Sequence, residues 1–235
     1  MRILAVGCHP DDLEIGCGGT LAKYAGLGHE VFMCHIANGS MGHAVIQPGE
    51  LVGIRSEEAR EAGLVLGAKE VHGLEVEDLR VDSGDLGTVG KVIDLIRETR
   101  PDLIITHSPE DYMRDHRETS RIVFDASFSA SIPHCRPKTP VHAPIVPVYH
   151  MDTIAGIDFQ PEEYVDITGT IETKLRALDK HQSQIRWLMD HDNVDFLDFV
   201  RTMSRFRGFQ CGTTYAEGFR VLRTFPRLRT ERLLP

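Results

Sequence analysis

The chain has 235 residues, 41% hydrophobic, 26% charged and 7% aromatic, a globular composition that excludes disorder, collagen and coiled coil. A net charge of −9 argues against a nucleic-acid partner, whose binding rests on neutralising phosphates. No apolar run reaches the ~20 residues of a bilayer span and no signal peptide is legible at Met1-Arg2-Ile3-Leu4; with five scattered cysteines lacking any CxxC pair, this predicts a cytoplasmic protein off the membrane with reduced thiols.

Residues 2–7 read as a buried strand that runs into Gly7-Cys8-His9-Pro10-Asp11-Asp12. Residues 16–20 are glycine-rich and precede a helix from Leu21 that stops at Gly26 and Gly28. A strand over 31–36, a glycine-bearing loop over 38–49 and a helix over 51–66 capped by Gly67 follow. Residues 71–74 make a weak strand. Leu86, Val89, Val92, Ile93 and Ile96 share one helical face that Arg100-Pro101 closes, and 102–107 is a second strongly buried strand. Asp115 and Glu118 have the spacing of a capping box for a helix reaching about Ser131. A strand over 146–150, another over 164–167, helices over 171–188 and 194–206, and a last strand over 219–222 complete the chain, whose tail from Arg220 is arginine-rich.

Strands alternating with crossovers of a dozen or more residues predict one Rossmann-like α/β domain over 1–235: a mostly parallel, doubly wound sheet with helices on both faces. In an order 3-2-1-4-5 the first and fourth strands are neighbours, and ligands bind beyond their carboxyl ends. The loops there hold the two densest clusters of ligand-type residues, His9-Pro10-Asp11-Asp12-Leu13-Glu14 and His107 to His116. A zinc site wants three protein ligands and one open position. His9 and Asp12, three apart in a turn that Pro10 stiffens, can face one centre while Asp11 points elsewhere, and the third ligand is His116 or His107. Alternation along the strand turns Cys8 away. Gly16-Cys17-Gly18-Gly19 lacks the spacing of a dinucleotide fingerprint and suits close packing of helix on strand.

With Glu14, Gly16, Gly18, Gly19 and Thr20 after His9-Pro10-Asp11-Asp12, and with Ser108-Pro109-Glu110-Asp111-Tyr112 and Asp115-His116-Arg117, the chain resembles the PIG-L/LmbE-like family of zinc-dependent N-deacetylases. Arg55, Glu58, His181-Gln182-Ser183-Gln184 and Glu217-Gly218-Phe219 extend the resemblance over nearly the whole chain. It implies a hydrolase that removes an acetyl group from a small N-acetylated substrate, an N-acetyl amino sugar or its conjugate. It further implies zinc held by His9, Asp12 and His116, with Fe2+ and Co2+ as other ions suited to such a site, and Asp11 as general base. Arg55, Asp78, Tyr112 and His150 are the expected substrate contacts, and homo-oligomers, hexamers among them, the expected assembly. One departure stands out: the family carries another histidine three residues before the metal-binding one, and this chain has Met113, which can donate neither a hydrogen bond nor a proton. The alternative reading is therefore a weakly active or non-catalytic relative that keeps metal and sugar binding.

Overall fold

The computed structural model describes residues 1–135, 138–140 and 143–227. Strands β1 (Arg2–Gly7), β2 (Glu30–Ala37), β3 (Glu70–Val76), β4 (Leu103–Thr106) and β5 (Val148–Met151) are joined by helices α1 (Asp12–Gly26), α2 (Pro48–Leu66), α3 (Leu86–Thr99) and α4 (Arg114–Ser129). β6 (Glu163–Asp166), α5 (Ile171–Leu178), α6 (Gln182–Asp192), α7 (Phe196–Cys211) and β7 (Ala216–Val221) follow. The seven strands form one sheet in the order β3-β2-β1-β4-β5-β7-β6. The first five run parallel, as the Rossmann-like reading expects, and β7 runs antiparallel to both β5 and β6.

Alternation along β1 divides the core. Ile3 and Ala5 join Leu13, Leu21, Leu66, Leu175 and Val200 under α1, α2, α5 and α7, while Leu4 and Val6 join Val92, Ile96, Ile122 and Val123 under α3 and α4. Both faces of the central strands are covered, which is why they read as continuous apolar runs. Among the described residues no helix is long and apolar enough to cross a membrane.

Two sequence expectations change here. The helix expected from Leu21 starts nine residues earlier: α1 begins at Asp12 and runs straight through the glycine-rich stretch. A Cβ on Gly16 would lie 2.6 Å from the Met151 sulfur, and one on Gly19 2.7 Å from Ile167, so the glycines set how closely α1 approaches β5 and the turn after β6. The predicted helix over 171–188 is two helices, broken between Leu178 and Gln182.

A buried ion pair also enters α1. The Gly19 and Thr20 amides donate to the Glu217 carboxylate at 2.9 and 2.7 Å, while the Lys174 ammonium donates to Glu217 at 2.6 Å and to the Ile15 carbonyl at 2.7 Å. Glu217 thus ties β7 and α5 to the helix that opens at Asp12.

Candidate active site

β1 and β4 pair directly, Val6 opposite Thr106, so the turn after β1 and the loop after β4 meet at one sheet edge. The turn is tight: the His9 amide donates to the Asp12 carboxylate at 2.6 Å, and the Asp12 amide to the His9 carbonyl at 3.2 Å. Asp11 sits at φ 118°, a conformation that side chains rarely adopt and that costs on the order of 1–3 kcal/mol. The strain is held because Asp11 is fixed at both ends, its carbonyl accepting from the Ile15 amide and its carboxylate 3.1 Å from Arg55.

Asp12 is the hub. Its Oδ2 lies 3.4 Å from His9 Nδ1 and its Oδ1 3.3 Å from His116 Nε2. His116 Nδ1 is 3.0 Å from the Asp111 carboxylate, so the ring donates there and turns its Nε2 inward. That Nε2 is buried and has no hydrogen-bond partner. Burial alone would depress the His116 pKa, but Asp12 and Asp111 outweigh it and hold the ring up to about 10. A buried centre that draws a proton so strongly is a centre that favours a cation. Two imidazole nitrogens and a carboxylate oxygen are the donor set of a zinc-type site, and the orphaned Nε2 is the atom such an ion would satisfy.

His107 competes for the same place. Its Nε2 is 3.2 Å from Asp12 Oδ2, and Asp12, His107 and His116 offer ligand atoms within 4.8 Å of one another. Yet His107 Nε2 already accepts the Cys8 amide at 2.9 Å, which occupies its lone pair. Burial depresses its pKa to about 4, against Asp12, so the ring stays neutral. Cys8 is buried, but its sulfur comes within 3.8 Å of His9 Nε2 and is not turned clear of the centre.

A cleft of about 480 Å³ opens over His9, Asp11 and Asp12 and includes Arg55, Asp78, Tyr112 and Met113. Of the expected substrate contacts, Arg55 is committed to Asp11 and to the carbonyls of Pro10 and Gly39. A Cβ at Gly39 (φ +75°) would meet Arg55 at 2.5 Å, so only glycine lets this chain segment cross the guanidinium. Asp78 spends both oxygens on the amides of Gly39 and Met41, at 2.8 and 2.9 Å, which fixes the loop after β2. His150 lies outside the cleft: it faces a second cavity, with Pro109, Phe124 and Leu222, and its Nδ1 is 2.8 Å from the His107 carbonyl. It backs the loop and does not line the site.

The capping box is also overturned. Met113 caps α4 without a side-chain bond. Asp115 instead accepts the Leu79 amide at 2.6 Å and lies 3.5 Å from His9 Nε2, while Glu118 accepts from Ser83. Asp111, the partner of His116, was visible only as part of a motif. His181, which sequence left without a role, is fully buried 3.5 Å from Glu14. Glu58 accepts from the Ser183 amide and hydroxyl, at 2.7 and 2.6 Å, and so seats the start of α6 on α2. Arg229 and Arg232 of the basic tail lie outside the described residues, whereas Arg220 pairs with Glu110 at 2.7 Å.

A family model described as PIG-L, GlcNAc-PI de-N-acetylase, matches residues 4–127, more than half of the chain. A diacetylchitobiose deacetylase of Thermococcus kodakarensis is 29% identical over 239 residues, covering 94% of this chain and 83% of its own. Among solved structures, the N,N'-diacetylchitobiose deacetylase from Pyrococcus horikoshii matches with a TM-score of 0.80 at 26% identity, over 94% of this chain and 83% of its own. The 4-carboxy-2-hydroxymuconate hydratase GalB of Pseudomonas putida KT2440 matches with a TM-score of 0.83 over 99% of this chain and 100% of its own, at 22% identity, a likeness of fold alone.

Proposed function

The chain belongs to the PIG-L, GlcNAc-PI de-N-acetylase, family, and from that premise we propose that it is a zinc-dependent N-deacetylase of an N-acetyl amino sugar or its conjugate. An N-deacetylase-type hydrolase follows from the family and from relatives that are themselves deacetylases. Metal dependence is supported by the inward-facing, unpartnered His116 Nε2 beside Asp12, with His9 on the opposite carboxylate oxygen. His9, Asp12 and His116 are the proposed ligands. A divalent ion held there would supply Lewis acidity toward water and toward the acyl carbonyl.

The rest falls to the chain's own residues. Asp11 lines the cleft but is not among the groups that converge on Asp12, which leaves its carboxylate free for the proton of the attacking water. Water adds to the acyl carbon, the carbon–nitrogen bond breaks, and the proton taken by Asp11 passes to the departing amine. Arg55, 3.1 Å from Asp11, holds the carboxylate in its strained turn. Burial pushes the Asp11 pKa up to about 6, with Arg55 opposing. Buried Cys8, Cys17 and Cys34, unpaired, suit a reducing compartment, in keeping with a cytoplasmic enzyme. A homo-oligomer is part of the same reading.

Met113 supports a second reading, a weakly active relative that binds metal and sugar, because it lines the cleft and brings no donor to the oxyanion or leaving amine. Acetate release from N-acetylglucosamine and its glycosides decides between them. The deacetylase reading expects release that a chelator abolishes and zinc restores, and that Asp11→Ala lacks. Metal-loaded protein that binds these sugars without releasing acetate would establish the second reading.

A further inference from the structure

The cavity that His150 faces shares no lining residue with the cleft over His9 and Asp12, among the described residues. It lies behind the loop after β4, between that loop, β5 and α4. Its volume is about 350 Å³, at the lower end of the roughly 300–1,000 Å³ of small-molecule sites. Pro109, Phe124 and Leu222 give it apolar walls. Phe124 is 43% exposed, an aromatic ring that the fold does not spend on its core. Arg227 stands over that ring at 5.3 Å and donates to the Phe124 carbonyl at 3.2 Å, which steadies the wall.

Against these walls stands one buried polar group. His150 is 7% exposed, and its Nδ1 lies 2.8 Å from the His107 carbonyl. A carbonyl oxygen only accepts, so Nδ1 carries the proton of that bond. Burial lowers the His150 pKa, and the ring is neutral. Its Nε2 is therefore a bare acceptor on an apolar cavity, and among the described residues no donor of the protein meets it. An acceptor in such surroundings calls for a donor. Arg121 and Asp125, both exposed, bring opposite charges to the cavity edge, and Arg121 is already paired with Glu118 at 2.5 Å. The lining thus favours no net charge on an occupant.

We propose that this cavity is a second ligand site, separate from the cleft, for a small neutral molecule with an apolar ring and one hydroxyl donor. A phenol is the simplest case, its O–H donated to His150 Nε2 and its ring laid against Phe124, Pro109 and Leu222. The site touches the polar centre from behind. His107, whose carbonyl His150 holds, stacks its ring on that of His116 at 3.9 Å, and Ser120 on the cavity wall stands one helical turn beyond His116. A ligand that bears on His150 thus bears on the loop after β4. The inference does not depend on the deacetylase reading, and its test needs no turnover.

Calorimetry on the full chain compares para-ethylphenol with para-ethylanisole, which has the same ring and no donor. The phenol is expected to bind about fivefold more tightly, the worth of one neutral hydrogen bond. His150→Leu should erase that preference. Phe124→Ala, at an exposed position, should weaken both compounds alike, and it keeps the test decisive if the buried variant does not fold. In spectra of isotope-labelled histidines the phenol is expected to move Nε2 of His150 and the ring of His107, and to leave the exposed His191 in place. No binding, equal binding of phenol and ether, a preference that His150→Leu keeps, or His150 and His107 resonances that stay in place would overturn the proposal.

Discussion

Met113 closes the loop after β4 and faces the cleft at the start of α4, where a histidine would place a donor beside the scissile amide. Met113→His is expected to raise kcat on an N-acetyl amino sugar by about tenfold or more, a fraction of what a fully positioned acid contributes; an unchanged or lower rate means that another group already fills the role. Asp11→Asn should lower kcat by about 10²–10⁴-fold while leaving the metal content as it was, because the residue is assigned to proton transfer and not to coordination. Asp111→Ala should instead weaken metal binding by roughly 10–100-fold, since it frees His116 Nδ1 and unfixes the ring, and a metal titration would show this. That His9, Asp12 and a histidine of the loop after β4 would meet was legible because a short turn and a neighbouring loop confine them, whereas the choice of His116 over His107 came from the resemblance. The role of Asp111 was not legible. Its neighbour Asp115 has the more familiar spacing, but α4 starts at Arg114, which puts Asp115 inside the first turn with its carboxylate toward Leu79 and His9.

Among the elements, α1 departs most from its sequence. Glycines normally weaken a helix by roughly 0.5–1 kcal/mol each, so the sequence reading starts this helix only at Leu21. Here tertiary contacts override that cost, with Gly16 and Gly19 pressed on Met151 and Ile167 and their helix braced by Lys174 and Glu217. Both members of that pair are almost wholly buried. Lys174→Met should therefore destabilise the protein by about 3–5 kcal/mol, as an uncompensated buried carboxylate remains. Adding Glu217→Gln should return part of that loss in chemical denaturation; if the single variant costs nothing, the pair does not brace α1. The strands were easier to read, being apolar on both faces, whereas the break between α5 and α6 carries no glycine or proline to announce it.

For the whole molecule, the sheet order delivers the site. The chain reverses direction of growth at β1 and β4, and both loops of the candidate site leave from their carboxyl ends, a placement that follows from the alternation of strands and helices. The antiparallel edge, β7 between β5 and β6, carries no such signal, since short edge strands look alike in sequence. Buried ionisable groups under the site make stability depend on pH. Burial lowers the His35 pKa to about 4, against the pull of Glu14. An unfolded histidine titrates near ~6.5, so this contribution is fully present above that pH and is lost as the pH falls toward about 4, in total on the order of 3 kcal/mol. His35→Gln should flatten the fall of unfolding free energy over this window, and an equally steep decline in the variant would contradict the assignment.

His9, Asp12 and His116 are the proposed holders of the ion, while His107 stands beside them with its lone pair engaged by the Cys8 amide. Zinc stoichiometry of the purified protein and its single alanine variants tests this assignment most directly. About one zinc per chain is expected in the wild type and in His107→Ala, and a loss in His9→Ala and His116→Ala. Zinc retained without His9 but lost without His107 would put the ion on Asp12, His107 and His116 and contradict the account.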